Sequence, residues 1–425
     1  MNIDALFCDG TSNYVIPPEP KKNEKIRLRF RTAKDDVDQV FLLVGEQSYE
    51  MEKKETRGTF DYYEMEWQLG EKEFHYGFQV SKGGEVKYFN RCGVSGNREE
   101  FYSFMITPGF STPDWAKGAV MYQIFVDRFY NGDRTNDVET GEYAYIGEHS
   151  VRVEDWSKYP AFMGVREFYG GDLKGVLEKI DYLQELGVEA VYFNPLFVSP
   201  SNHKYDIQDY DFIDPHYGVI VEDGGEVLTD GCLDNSQATK YQIRTTNRKN
   251  LEASNAFFAE LVQEFHRRGI KVIIDGVFNH CGSFNKWLDR ERIYEKQEGY
   301  GKGAYVSADS DYHSFFRFFK EEWPYNHNYD GWWGHDTLPK LNYEGSEELQ
   351  KYILNIAKKW VSPPYNVDGW RLDVAADLGY SNEFNHEFWK NFGLLSKRQI
   401  RKHLSLQSTM EIRENGFKVM NGILL

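Results

Sequence analysis

The sequence predicts an α/β protein with a β-rich module in front, and three observations carry that expectation. Residues 1 to about 112 hold short runs in which apolar and charged side chains alternate. From Ala119 the runs become continuously apolar and are separated by helical stretches, as for strands buried on both faces. Between the two regions, TPGFSTPDW carries Pro108 and Pro113 and reads as a linker, which places a boundary near residue 112.

In KIRLRFRT, Ile26, Leu28 and Phe30 alternate with charged residues, the period of a half-buried strand. QVFLLVG, FDYYEMEWQL and FHYGFQVS continue the series, and the last meets EVKYFN across Lys82-Gly83-Gly84, a hairpin turn. Short, regularly spaced strands predict a small β-sandwich over 1–112. Beyond it, AVMYQIFV, VEAVYF, IKVII and VDGWRLDV have the length of buried strands. LKGVLEKIDYLQELG, EASNAFFAELVQEFHRRG and SEELQKYILNIAKKW lie between them as helices. In the first helix Leu173, Val176, Leu177, Ile180, Leu183 and Leu186 share one stripe, and Gly187 supplies a stop. Two connections, 216–250 and 281–345, are long enough to suggest function; on a β/α barrel they cover the active-site face.

The 425 residues carry Lys+Arg 50 against Asp+Glu 67, a net charge of -17, which disfavours nucleic acid and anionic membranes as partners. Aromatic residues make up 16%, a surplus that suits both a core and a sugar-binding cleft. Cys8, Cys92, Cys232 and Cys281 have no metal-site spacing and read as free thiols. With no signal-like N-terminus and no membrane-length apolar run, the expectation is a cytoplasmic protein.

Four motifs end or follow the predicted strands. DGVFNH supplies Asp275, Asn279 and His280; DGWRLDV supplies Arg371 and Asp373, which two-residue spacing points to one face. A guanidinium beside a carboxylate keeps it ionised, as a nucleophile requires; a buried structural ion pair is the competing reading. SNHKYD offers Tyr205 to stack on a sugar, with His203 and Asp206 to bind hydroxyls; an ordinary polar loop is the competing reading of this motif by itself. LPKLN closes the long loop, and upstream DGWWG holds Trp332 and Trp333, either loop packing or a sugar platform.

In this order the motifs resemble those of the α-amylase family of retaining glycoside hydrolases, with LPKLN close to the M-P-K-L-N of its neopullulanase and cyclomaltodextrinase branch. The resemblance implies a (β/α)8 TIM-type barrel behind an N-terminal β-sandwich of carbohydrate-binding type, and a loop domain inserted at about 281–345. It implies Asp373 as nucleophile, Arg371 as its cation, and His280, Tyr205, His203, Asp206, Asp275, Trp332 and Trp333 around the sugar. NGDRTND and FYGGD resemble the branch's structural Ca2+ site, with Asn131, Asp133, Asn136, Asp137, Gly170 and Asp172 as ligands; an Asx-rich turn without an ion is the alternative. Hydrolysis of α-1,4 bonds, with α-1,6 as a second option, in starch, pullulan or maltooligosaccharides is the implied activity. Glucanotransfer and a non-catalytic α-glucan-binding remnant are the alternatives, and a homodimer is implied by analogy. The stretch Gly218 to Asn250 departs from the branch.

A retaining enzyme needs a second carboxylate about 5–5.5 Å from the nucleophile. The family's acid ends a fifth strand, and the residues after Trp389 offer no strand of that kind, so about four barrel strands are expected within 113–392. The tail 393–425 is readable as a shifted frame, with a genuinely divergent C-terminus as the alternative: one base lost after the Phe392 codon turns it into a string containing A-F-I-L-A-E-H-Y-G-D, with the acid across the codons of Gln407 and Ser408. On that reading the chain lacks its general acid, turns over little glucan and is prone to aggregate.

Overall fold

The computed structural model describes residues 1–399 together with the strands Leu404–Gln407, Thr409–Arg413 and Gly416–Met420. It divides into two compact units, Met1–Thr112 and the chain from Pro113 on.

The first unit is two antiparallel sheets face to face. One sheet pairs Val15–Ile16, Lys25–Ala33, Phe60–Gln68 and Glu52–Arg57 in that order. The other runs Gln47–Glu50, Gln39–Val44, Phe74–Lys82, Glu85–Asn90 and Gly93–Ser95, with Phe104–Ile106 added to Phe74–Lys82. Ile26, Leu28 and Phe30 point inward and meet Leu42, Phe78 and Val80 in one core. The hairpin after Phe74–Lys82 turns on Gly83 and Gly84, both at positive φ (54° and 85°), where a Cβ would be strained.

In the second unit, parallel strands β1 (Met121–Ile124), β2 (Ala190–Phe193), β3 (Lys271–Gly276), β4 (Gly369–Leu372) and β5 (Leu404–Gln407) form one sheet in chain order. β5 corrects the expectation of four strands. It pairs in register with β4, Gly369 opposite Leu404 and Leu372 opposite Gln407, and four residues are too short to show a period in sequence. Ser408, where the re-read frame would set the acid, lies outside the described residues. Among the described residues this sheet does not close on itself.

The helices pack on the sheet through apolar stripes. The first predicted helix is broken at Lys179 (φ -103°, ψ 8°) into α1 (Leu173–Glu178) and α2 (Ile180–Glu185), so Leu186 leaves the stripe and is 52% exposed. α3 (Thr239–Thr246) is followed by α4 (Arg248–Arg267), which buries Leu251, Phe258, Leu261, Val262 and Phe265. α5 (Glu347–Trp360) starts at Ser346, whose side chain accepts the Leu349 N–H. Glu347 and Glu348 in its first turn and Lys358 and Lys359 in its last complement the helix dipole. α6 (Asn382–Gln399) follows β4. The 281–345 connection has no long element of its own, yet it sends Trp287, Phe315 and Tyr329 into the main core.

Candidate active site

Strand register assembles the site. Asp275 on β3 and Arg371 on β4 are opposite one another, so their side chains leave the sheet side by side. Arg371 Nη1 donates to both Asp275 oxygens at 3.1 and 3.0 Å and to Asp373 Oδ1 at 2.7 Å. Asp373 follows β4 directly, and its N–H extends the ladder to Gly276 O at 3.0 Å. Its side chain keeps 12% exposure, while that of Asp275 has 0%. One guanidinium thus joins a rim carboxylate to a sealed one.

Burial governs the titration of Asp275. It pushes the carboxyl up to about 7, Arg371 pulling the other way and Asp373 adding to the rise. Tyr192 and Tyr205 both donate their hydroxyls to Asp275 Oδ2, the latter at 3.1 Å. With these donors and Arg371 around it, the buried Asp275 carboxylate is engaged by the protein's own side chains.

Asp206 is buried too, and its Oδ2 has no hydrogen-bond partner. Its Oδ1 accepts from Ser199 Oγ at 2.7 Å and from Ser201 Oγ. The SNHKYD loop turns at Lys204 (φ 57°) and folds over its own carboxylate. Partly buried His203 accepts the Tyr205 N–H at 3.1 Å on Nδ1, and burial lowers its pKa. His280 is 2% exposed, donates from Nε2 to Tyr205 O at 3.2 Å, and is held below the usual imidazole range by burial. A neutral ring follows at neutral pH. The Arg371 guanidinium lies 5.8 Å from the centre of the Tyr205 ring.

Trp332 lies flat against His280, ring centroids 4.9 Å apart at 7°. Its Nε1 donates to Asp377 Oδ2 at 2.8 Å. Trp333 is 52% exposed at φ 53°. Both line a cleft of about 520 Å³ whose other wall is the Ala376–Asn382 segment after β4. Sequence reasoning missed Tyr192, Asp377 and Lys340, which donates to Asp377 O at 2.9 Å. Tyr192 was marked only by its place in VYFNP, and Asp377 by nothing.

Among the described residues there is no group of three or more His, Cys, Asp or Glu able to hold a metal. The six residues expected at calcium separate into two sets. Asp172 caps α1, taking the N–H groups of Gly132, Asp133 and Gly175, and Asp133 takes those of Thr135. Both oxygens of Asp172 and Oδ1 of Asp133 thus accept hydrogen bonds from the chain itself. The buried Oδ1 atoms of Asn131 and Asn136 have no hydrogen-bond partner, and such oxygens suit a hard cation. Asp137 sits beside them, accepting from Asn131 Nδ2 at 2.7 Å and paired with Arg152 at 2.8 Å. Gly170 closes the cradle: a Cβ there would lie 2.4 Å from Asp137 Oδ1.

A parallel β/α sheet with an arginine-held carboxylate at the C-terminal end of a strand, beside an aromatic cleft, is the arrangement of a β/α-class enzyme site. The chain belongs to the alpha-amylase family. The family profile "Alpha amylase, catalytic domain" matches residues 123–228 and 245–414, and "Alpha amylase, N-terminal ig-like domain" matches 1–108. The chain is 33% identical over 414 residues to a cyclomaltodextrinase of Thermoanaerobacter pseudethanolicus, covering 92% of this chain and 58% of that protein. It is 32% identical over 417 residues to neopullulanase 2 of Thermoactinomyces vulgaris, covering 93% and 59%. A solved cyclomaltodextrinase superposes with a TM-score of 0.56 at 28% identity, over 96% of this chain and 60% of that one. The chain therefore spans about three-fifths of the length of these relatives. Among the described residues no helix is long and apolar enough to cross a membrane.

Proposed function

We propose that the catalytic unit forms a glycosyl ester with α-linked glucan oligosaccharides, Asp373 attacking the anomeric carbon. The observation that carries this is the 2.7 Å bond from Arg371 to Asp373 at the strand end, with 12% of that carboxylate exposed. In the step, a carboxylate oxygen forms the bond to the anomeric carbon while the bond to the leaving oxygen breaks and that oxygen takes a proton. Arg371 keeps Asp373 ionised, buried Asp275 holds Arg371 in place, and the Trp332–His280 stack walls the sugar on one side.

Arg371 also holds a second carboxylate, Asp275. Its side chain is 0% exposed, so it is not placed to protonate a leaving oxygen, and this reading assigns no proton donor among the described residues. We accordingly expect slow turnover of ordinary glucans by the chain alone. α-Maltosyl fluoride separates the two halves of this reading, because fluoride departs without a protonated leaving oxygen. The chain should form a maltosyl ester on the peptide bearing Asp373, read by mass spectrometry, and Asp373→Asn should form none. Equal labelling in that variant would refute the nucleophile. Rapid release of sugar from maltoheptaose would refute the missing acid.

Calcium at Asn131, Asn136 and Asp137 belongs to the same proposal, its support being the two unpartnered amide oxygens. Bound there, the ion would tie the 131–137 loop to Gly170; the steps above do not involve it.

A further inference from the structure

We propose that the groove between the start of α4 and the 296–300 loop is a second sugar site, binding a segment of α-glucan away from Asp373. Its volume is about 1290 Å³, above the range of roughly 300–1,000 Å³ usual for ligand pockets and room for several sugar rings. None of Asp373, Arg371, His280, Tyr205 or Trp332 lines it.

Its lining fits a neutral polyhydroxylated chain. Phe212, Tyr300, Tyr312, Tyr352 and Tyr365 present rings, and the four tyrosines are partly exposed. The apolar face of a pyranose packs on such rings while its hydroxyls reach the polar groups between them. The lining charges cancel, five carboxylates against five cations, and several pair with each other: Lys286 with Asp209 and Asp211, Lys249 with Glu222, Arg248 with Glu252. A balanced lining gives no net pull on an anion or a cation. At the floor Asp209 is 1% exposed; its Oδ1 accepts from Lys286 at 2.7 Å, and its Oδ2 has no partner. A buried carboxylate oxygen left so is costly, and a hydroxyl donor would satisfy it.

One wall comes from the part of the chain the family profile skips. Residues 229–244 fall between its matched segments, and α3 lies largely there. Ile243 and Thr246 of α3 line the groove, Gln297 Nε2 donates to Gln242 at 3.1 Å, and Tyr300 donates to Thr246 O at 3.1 Å. The inserted helix thus positions the 296–300 wall.

The identity of the sugar rests on the proposed function, so the test reads both sites at once. Hydrogen exchange of the full chain is followed with and without maltoheptaose. Slowed exchange at 246–256 and 296–300 supports the groove. Ala256→Arg, on the exposed face of α4, should weaken that protection about tenfold and leave protection at 330–334 unchanged. Tyr300→Ala should act in the same direction. Protection confined to 203–206 and 330–334 overturns the groove and leaves the glucan reading standing. Protection in the groove alone supports the groove and removes the cleft. Protection at neither overturns both.

Discussion

Asp275 allows a pH experiment whose sign is fixed in advance. In the unfolded chain its carboxyl ionises at the ordinary 3.8; in the fold burial lifts it to about 7. Between those values the folded protein keeps a proton that the unfolded chain has released. Stability therefore falls as pH rises from about 4 to about 7 and levels off above. A displacement of about 3 units at about 1.4 kcal/mol per unit is worth roughly 4 kcal/mol. Asp275→Asn preserves the shape and cannot ionise, so it lacks this slope. Other buried carboxyls, such as Asp289, pushed up to about 8, contribute equally to both proteins and cancel. Urea unfolding of both proteins, followed by tryptophan fluorescence between about pH 4 and pH 8, gives the difference directly. The variant should gain about 4 kcal/mol relative to the parent across that range. A flat difference, or a parent that gains as pH rises, would show Asp275 ionised throughout. Arg371 would then outweigh burial, and the sealed carboxylate would be a permanent counter-ion.

Arg244 is 2% exposed and donates to Glu142 at 2.9 Å, to Asp223 at 2.9 and 2.7 Å, and to Asp137 O at 2.9 Å. Arg244→Met should cost about 3–5 kcal/mol in urea unfolding, because Glu142 stays buried with only His216 as a cationic partner; a loss below about 1 kcal/mol would mean the cluster is solvated. Calcium at about 100 times its dissociation constant should add about 2.7 kcal/mol and raise the melting temperature by a few degrees. Asn131→Ala with Asn136→Ala should abolish that response; a melting point indifferent to calcium and to chelator would leave the two amides as an internal turn.

Much of the architecture was legible because it depends on local period. The alternation of Ile26, Leu28 and Phe30 reports one buried face, and Gly83-Gly84 reports a turn only positive φ can make. What failed was set by packing at a distance. The break at Lys179 sits inside an unbroken apolar stripe, because the stripe records which residues are apolar and not where the helix must bend to follow the sheet. β5 escaped because its pairing with β4 is a backbone relation between segments more than thirty residues apart. In the site, the i, i+2 spacing of Arg371 and Asp373 was readable. The sealing of Asp275 and Asp206 was not: Tyr192 lies 83 positions from Asp275, and Ser199 reaches Asp206 only through a loop that doubles back.

The residue after Asp373 shows how far this matters. Val374 has φ 38° and ψ 43°, a left-handed conformation that β-branched residues avoid at a cost of about 1–3 kcal/mol. A free strand end would relax. Here the following segment is fastened to the 330–344 loop: Lys340 donates to Asp377 O, Trp332 to Asp377 Oδ2, and Tyr380 N, Ser381 N and Ser381 Oγ to Glu344 at 3.0, 2.8 and 2.9 Å. Tyr380 closes the set by donating to Asp330 at 3.0 Å. The long connection that sequence marks only as unusually long is therefore what fastens the segment directly after Asp373 and Val374.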